Sequence, residues 1–233
     1  MIEKSINQEE DEAMLRETGR LASRLIHDFK NQLGGMKLYA SYLKKRFADN
    51  PEGVEVAEKI IQGLNEMAEQ ASWVTRLTRP IEVRREPGDL GQFIEMVLSS
   101  LKAQAAARQT TLALDAPAAP VAFRFDLQQM QVALSSILLR AIEVSPDGAE
   151  LRVRLVREDD ALRIEIPDAG PTPDAPRLDA FFDFLTNERL NRTSLSLAYA
   201  RRILELHDAA VAARPGAPTG AVVDIRLRDA AAS

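Results

Sequence analysis

The sequence predicts an α plus α/β fold class, in which a helical segment precedes a segment that mixes helices and strands. Apolar residues recur at helical spacing over residues 12–78, and strand-like alternation is interleaved with helical patterns from Asp89 onward. A linker at residues 80–88 separates the two patterns. The 233 residues therefore divide into two expected domains, residues 1–80 and residues 81–233.

The first domain is predicted to be an antiparallel helical hairpin. Residues 12–47 and 54–78 have helical spacing, and residues 49–53 are turn-forming. A short loop between two long helices makes them antiparallel neighbours. The two apolar stripes are Leu25, Phe29, Leu33, Met36, Ala40, Leu43 and Phe47 in the first helix, and Val54, Ala57, Ile61, Leu64, Met67, Ala71 and Val74 in the second. Stripes this wide would leave one face of a lone hairpin in water, so we expect a homodimeric four-helix bundle.

The second domain is predicted to be an α/β sandwich, with one sheet covered by helices. Residues 168–192 lack periodicity and contain three prolines, so no element is predicted there. The linker has room for one additional strand. The expected helices cover residues 89–107, 127–144 and 194–206, and the expected strands cover residues 110–114, 121–125, 151–156, 162–166, 209–213 and 221–227, with Asp159-Asp160 at a turn.

Composition restricts the functions open to this chain. A net charge of −5 disfavours nucleic-acid binding, and with no cysteine and only two histidines we expect no metal site. No apolar run reaches the roughly 18 residues of a membrane span. The first dozen residues are acidic and too few for a sensor domain, and they do not resemble a signal peptide. We therefore expect a cytoplasmic protein that does not bind membranes.

His27 is the residue with the most suggestive chemistry. It lies off the apolar stripe, so its imidazole is expected to face outward among polar neighbours. An imidazole nitrogen is a good nucleophile when deprotonated, and Asp28 could fix the tautomer or accept the proton. Asn31 could position a water or a phosphoryl oxygen, while Lys30 and Lys37 could neutralise phosphate charge. The competing interpretation is a surface histidine without a role.

The residues around His27 resemble the H-box of sensor histidine kinases. Residues 27–33 read H-D-F-K-N-Q-L, against the family pattern H-[DE]-x-[KR]-[NT]-P-L. The resemblance implies that His27 accepts a phosphoryl group, that Asp28 is the adjacent acidic base, and that Asn31 supports dephosphorylation of a partner regulator. Gln32 replaces the usual proline, which changes the helix bend without removing a chemical group.

Residues 89–228 resemble the ATP-binding domain of the same kinases, a Bergerat-type sandwich. The resemblance implies a histidine-kinase-like ATPase α/β sandwich in which Asp168, with Gly170, reads the adenine amino group. Asp168 also fits a plain turn residue before glycine. The matching segments, in family order, are LQQMQVALSSILLRAIEVSP (127–146) for the N-box helix, IPDAGPTPD (166–174) for the first glycine box, FFDFL (181–185) for the F-box and RTSLSLAYARRILELHDA (192–209) for the second glycine box.

Several nucleotide-site positions depart from this family. Ser136 and Arg140 replace the two asparagines of the N-box, and the second of these coordinates Mg²⁺ in the family. Arginine has donors only, so Arg140 cannot ligate a metal, although it could meet a phosphate directly. Arg192, Ser194 and Ser196 replace three glycines that let the backbone approach the triphosphate.

Two of these residues have structural interpretations. Ser194 fits a helix N-cap. We expect His207, near the end of the same helix, to be structural rather than catalytic.

The combined pattern predicts a histidine phosphotransferase that exchanges a phosphoryl group between His27 and the aspartate of a response-regulator receiver, without ATP-dependent autophosphorylation. We expect no cofactor on this interpretation. The receiver is expected to contact Lys30, Gly34, Lys37 and Leu38, which flank His27. The alternatives are an active sensor-kinase core that uses ATP and Mg²⁺, and a non-catalytic scaffold or phosphatase that binds a regulator.

Overall fold

The computed structural model describes residues 2–158, 161–183 and 192–228. The chain divides into two compact units, Met1–Pro80 and Ile81–Ser233. The first unit is helical and the second combines helices with a mixed sheet, so the predicted fold class is confirmed.

Two long helices make up the first unit: α1 (Ile2–Arg46) and α2 (Pro51–Thr78). α1 begins about ten residues earlier than its apolar stripe suggested. α2 begins at Pro51 because the side chain of Asn50 accepts a hydrogen bond from the Gly53 N–H at 3.2 Å. Proline is suited to the first helical position, where its missing N–H costs no hydrogen bond.

The contact between the two helices is narrower than the predicted apolar stripes. Only Leu33 and Ala40 of α1, and Ala57 and Ala71 of α2, are fully buried among the side chains described in this unit. The other five residues of the predicted α1 stripe are exposed, because an antiparallel pair buries only the sector of each helix that faces its neighbour. The exposed large hydrophobic side chains of this unit are Leu25, Phe29, Met36, Leu38, Tyr39, Tyr42 and Leu43 on α1, Phe47 just after it, and Val56, Ile60 and Met67 on α2.

The second unit contains five helices and seven strands among its described residues. The predicted helix 89–107 is divided at Leu101, and a short helix lies in the proline-rich segment that carried no prediction. The elements are β1 (Glu86–Asp89), α3 (Leu90–Ser100), α4 (Lys102–Ala107), β2 (Thr111–Asp115), β3 (Ala122–Phe125), α5 (Leu127–Val144), β4 (Glu150–Arg157), β5 (Ala161–Pro167), α6 (Ala175–Asp179), α7 (Arg192–Glu205), β6 (Ala209–Pro215) and β7 (Ala221–Arg228).

The strands form two sheets, whereas the sequence suggested one. The larger sheet has the order β2-β4-β5-β7-β6, in which β2 and β4 are parallel and the remaining pairs are antiparallel. The linker strand β1 pairs with β3 in a separate two-stranded ladder, with Glu86 opposite Phe125. The predicted turn at Asp159-Asp160 and the last two residues of the segment 181–185 lie outside the described residues.

The core of the second unit lies between the large sheet and helices α5 and α7. Alternate residues of β4 and of the second half of β7 are buried, as expected for a sheet covered on one face. Ile164 of β5 and Ile225 of β7 are fully inaccessible, and so are Ile203 and Leu204 of α7. This packing fixes the ends of α5, α7 and β5, where the altered nucleotide-site residues lie.

Candidate functional site

His27 lies on an exposed face of α1 with two polar side chains at the same ring nitrogen. The imidazole is 74% exposed. Asp28 Oδ1 lies 3.5 Å from His27 Nδ1, and Asn31 Nδ2 lies 3.3 Å from the same nitrogen. Both contacts are on the Nδ1 side of the ring, so Nε2 is the nitrogen free to meet another molecule. A carboxylate that accepts the Nδ1 proton leaves the lone pair on Nε2, which is the tautomer a nucleophile requires.

The predicted partner-binding residues are exposed beside His27. Lys30, Gly34 and Lys37 are solvent-accessible, and Leu38 is 71% exposed. Helical geometry places Gly34 and Leu38 in line with His27, at i+7 and i+11. Leu38 adds an apolar side chain to this line of residues and Gly34 adds no bulk, which suits close approach by another protein.

Arg140 on α5 is paired with Asp168, the residue that immediately follows β5. Arg140 Nη1 donates to Asp168 Oδ2 at 2.5 Å, and the Asp168 side chain is only 4% exposed. The Arg140 guanidinium also lies over the ring of Phe181, with its carbon 4.2 Å from the ring centroid. Arg140 therefore contacts the carboxylate that the family resemblance assigns to adenine, whereas the sequence suggested a contact with phosphate.

The Asp168 carboxylate is held on its other side by backbone groups. Its Oδ1 accepts hydrogen bonds from the N–H of Gly170 at 3.0 Å and of Ala221 at 3.1 Å. Gly220 permits this arrangement, because its φ is +85° and a Cβ there would lie 2.1 Å from the Asp168 carbonyl oxygen. These bonds fix the position of the Asp168 carboxylate, so Asp168 is an oriented hydrogen-bond acceptor as well as a turn residue.

Two of the three serines at the altered positions donate hydrogen bonds within their own helices. Ser136 Oγ donates to the carbonyl of Val132 at 2.8 Å, and Ser196 Oγ donates to the carbonyl of Thr193 at 3.0 Å. Ser194 is buried as the third residue of α7, so the expectation that it is an N-cap was wrong. The segment Arg192–Ser196 is helical, so it lacks the open backbone that a glycine-rich phosphate loop provides.

A carboxylate lies one turn beyond Arg140 on α5. Glu143 Oε2 accepts a hydrogen bond from Thr193 Oγ1 at 3.0 Å, beside the first turn of α7. Like charges repel, so this carboxylate opposes a triphosphate at that helix end.

The described residues do not fit Mg²⁺-ATP. The N-box position that holds the metal in the family carries a cation, and the carboxylate assigned to adenine is already neutralised by it. No three carboxylate or imidazole side chains come together as metal ligands within the part of the chain that the structure describes. The helical Arg192–Ser196 segment and Glu143 oppose the phosphates as well.

His207 has a structural position, as expected. Its imidazole is buried, Nε2 accepts the Asp126 N–H at 3.0 Å, and Nδ1 donates to the Ile203 carbonyl at 2.8 Å. Burial lowers the pKa of His207, and the positive charge of Arg85 lowers it further. The residue joins the end of α7 to the start of α5 as a neutral imidazole.

Three contributors to these sites were missed by sequence reasoning: Phe181 under Arg140, Glu143 at the first turn of α7, and Gly220 behind Asp168. Phe181 was noted only as part of a motif. The opposite charges of Arg140 and Asp168, at two positions that the family brings together, were the available signal for their pairing. Gly220 gave no comparable signal, because its neighbour is distant in sequence.

Comparison with known proteins defines the class of the second unit. Residues 125–231 match the family model of the histidine kinase-, DNA gyrase B- and HSP90-like ATPases. Similar curated proteins are the sensor histidine kinase ZraS of Klebsiella oxytoca, 25% identical over 90% of this chain, and the C4-dicarboxylate transport sensor protein DctS of Rhodobacter capsulatus, 25% identical over 94%. The chain covers 46% and 35% of their respective lengths, which is less than half of each relative.

Solved structures agree on the fold. Full-length ShkA in complex with AMPPNP matches 91% of this chain and 46% of its own, with a TM-score of 0.71 and 15% identity. The mycobacterial sensor histidine kinase MprB matches 63% of this chain and 98% of its own, with a TM-score of 0.56 and 20% identity. The comparisons therefore support a histidine kinase family core, in which a helical segment is followed by an ATPase-type domain. Among its described helices, none is long and apolar enough to cross a membrane.

Proposed function

We propose that this chain is a histidine phosphotransferase of a phosphorelay, which receives a phosphoryl group on His27 from one receiver aspartate and passes it to another. The observation that carries the proposal is the exposed imidazole with Asp28 and Asn31 both at Nδ1, at distances of 3.5 and 3.3 Å. Asp28, as an acceptor for the Nδ1 proton, favours a nucleophilic Nε2, and Asn31 fits the same tautomer when its amide is turned so that the oxygen faces Nδ1. The exposure of the imidazole suits a macromolecular donor, because the whole face of the helix is accessible.

The transfer step requires little beyond this geometry. The Nε2 lone pair of His27 attacks phosphorus, the Nε2–P bond forms, and the P–O bond to the receiver carboxylate breaks with its electrons leaving on oxygen. The Nδ1 proton stays on the ring, where Asp28 stabilises the positive charge that develops. Lys30, one turn along the helix, lies close enough to offset phosphoryl charge, whereas Lys37, about 15 Å along the axis, would meet the receiver. The reverse step returns the group to a second receiver.

The altered nucleotide residues support loading by a protein rather than by ATP. Arg140 replaces a metal ligand and pairs with Asp168, while Glu143 opposes phosphate at the start of α7. A relay protein needs none of the chemistry that these positions have lost. In this proposal the second unit acts as a scaffold or docking domain, and no cofactor takes part.

The proposed partners are a receiver domain and a second copy of the chain. The relatives are sensor histidine kinases, a class that implies dimerisation and response-regulator partners in general. We assign the receiver to the face formed by Lys30, Gly34, Lys37 and Leu38. We assign the second copy to the exposed stripe that includes Phe29, Met36 and Leu43, which recur at seven-residue intervals.

Two other functions have an observation in their favour. An ATP-using kinase core is favoured by the match of residues 125–231 to an ATPase family. A phosphatase is favoured by Asn31, whose amide could orient a water toward a receiver phosphate. Both remain alternatives to the relay.

Paired labelling experiments test the proposal. Purified protein is incubated with γ-labelled ATP and Mg²⁺, and separately with receiver domains labelled through a small phosphodonor such as acetyl phosphate. Acid-labile label that appears only from a receiver, and not in a His27→Gln variant, is the expected result. Label on His27 from ATP would reject ATP-independent loading. Release of inorganic phosphate that is lost in an Asn31→Ala variant, without label on the chain, would favour the phosphatase.

A further inference from the structure

The Asp168 carboxylate is fully supplied with donors by the chain itself. Oδ1 accepts two backbone N–H groups, from Gly170 and Ala221, and Oδ2 accepts Arg140. Both carboxylate oxygens therefore have donors within the chain, as a side chain that is only 4% exposed requires. A buried carboxylate is costly unless it is paired, so these donors account for its stability.

The donor that differs from the others is Arg140, because it is a side chain that can be removed. Its guanidinium is planar, donates to Oδ2, and lies against the Phe181 ring at 4.2 Å. A planar group that donates to a carboxylate and stacks on an aromatic ring makes the same two kinds of contact that a purine with an exocyclic amine makes. The side chain is 17% exposed, so the space it fills lies at the surface.

We propose that Arg140 is an internal ligand of the purine end of this site, and that the end remains built and reopens when the guanidinium is removed. The proposal goes beyond the proposed function, in which no nucleotide is used. It adds that one side chain, Arg140, accounts for the loss of binding at the purine end. The phosphate end is altered separately, through Glu143 and the helical Arg192–Ser196 segment.

The position of each alteration predicts what a reopened site would accept. Asp168 keeps its backbone donors and its free Oδ2, so it would accept a hydrogen bond from an exocyclic amino group. Glu143 gives no benefit to phosphates, and among the residues that the structure describes Mg²⁺ has no ligand set to join. The expected ligand is therefore adenosine itself, bound without metal and preferred over inosine, which has a carbonyl in place of the amine.

Titration of the full chain with adenosine tests this inference. Binding is measured by calorimetry or by ¹⁵N chemical shifts, for the wild type and for Arg140→Ala. The wild type is expected not to bind, and Arg140→Ala is expected to bind adenosine about tenfold more tightly than inosine, as expected for one hydrogen bond to a charged group. Asp168→Asn in the Arg140→Ala background is expected to remove that preference. Ethylguanidinium, which can return to the vacated space, is expected to compete with adenosine.

Each other outcome would overturn the inference. These are adenosine binding by the wild type as tight as by the variant, no binding by a folded Arg140→Ala, or equal binding of inosine. Arg140→Gln is a second variant that keeps length but not charge, and a failure of both variants to fold would refute a site that can be reopened. Phosphoryl transfer to His27 is measured separately on the wild type, so its failure would count against the proposed function without altering the binding result.

Discussion

His207 makes the stability of the second unit depend on pH. Its burial lowers the pKa of the imidazole below the usual 6.5, so the unfolded chain binds a proton more readily than the folded one. The charged groups nearest the ring are Arg85, Asp126 and Asp208. Protonation would place an N–H at Nε2, facing the Asp126 N–H that it now accepts. The free energy of unfolding is therefore expected to decrease as the pH falls below 6.5, toward the lowered pKa.

Denaturant unfolding between pH 7.5 and 5, followed by circular dichroism, measures this dependence. His207→Gln is expected to flatten the profile, while His27→Gln, which alters an exposed imidazole, is the matched control and is expected to retain it. Asp126 acts in a separate and lower window. Burial tends to raise the pKa of Asp126, but hydrogen bonds from the Arg84 and Gln129 N–H groups outweigh burial and lower it. Its contribution is therefore lost only at pH values below 3.8.

Two glycines with the same backbone angle allow the cost of a strained conformation to be measured apart from the cost of a steric clash. Gly148 and Gly220 both have φ of +85°, but a Cβ at Gly148 meets nothing within 4 Å, whereas one at Gly220 lies 2.1 Å from the Asp168 carbonyl oxygen. Gly148→Ala is expected to cost about 1–2 kcal/mol from the backbone conformation alone. Gly220→Ala is expected to cost about 2–5 kcal/mol, because overpacking is added. Equal losses in thermal or denaturant unfolding would contradict a collision at Asp168.

Contacts between residues close in sequence could be predicted, whereas contacts between residues distant in sequence could not. Outward exposure of His27 follows from helical spacing alone, and its proximity to Asp28 and Asn31 follows from their positions one and four residues away. The contact of Arg140 with Asp168 joins α5 to the end of β5, so spacing could not reveal it. The roles of Ser136 and Ser196 differed from the family pattern because their hydroxyls bond to carbonyls of their own helices.

At the scale of a helix, Gly34 lowers the stability of α1 and leaves room for a partner beside His27. A Cβ at Gly34 or at Gly35 meets nothing within 4 Å, so alanine at either position is expected to stabilise α1 by about 1 kcal/mol. Only Gly34 lies in line with His27 and Leu38. Gly34→Ala is therefore expected to slow phosphoryl exchange with a receiver, and Gly35→Ala to slow it less. Exchange rates that are equal in the two variants would remove Gly34 from the docking face.

Element boundaries were predictable where a local signal marks them. Asp126 caps α5, and the prediction 127–144 matches the helix as found. The start of α1 was missed because its first turns carry polar residues without an apolar stripe. The separate β1 and β3 ladder was also missed, because the pairing of a linker with a distant strand leaves no periodicity in the sequence.

At the scale of the whole molecule, two exposed apolar residues of α1 are assigned to different partners. Met36 is 55% exposed on the stripe assigned to a second copy, and Leu38 is 71% exposed on the face of His27. Met36→Glu is expected to lower the molar mass measured by light scattering from dimer to monomer, because it buries a charge in an apolar interface. Leu38→Glu is expected to leave the molar mass unchanged and to weaken exchange with a receiver. A wild type that is already monomeric would refute the dimer assignment.

The pairing of Arg140 with Asp168 has a consequence for how the protein meets changing conditions in a cell. A domain stabilised by a dissociable ligand gains about 2.7 kcal/mol when that ligand is at a hundred times its dissociation constant, and loses it when the ligand is depleted. A ligand carried on the same chain has a fixed effective concentration. With Arg140 in that role, the stability of this domain would be the same in starved and growing cells. A signal passed through His27 would then not depend on the ATP level of the cell.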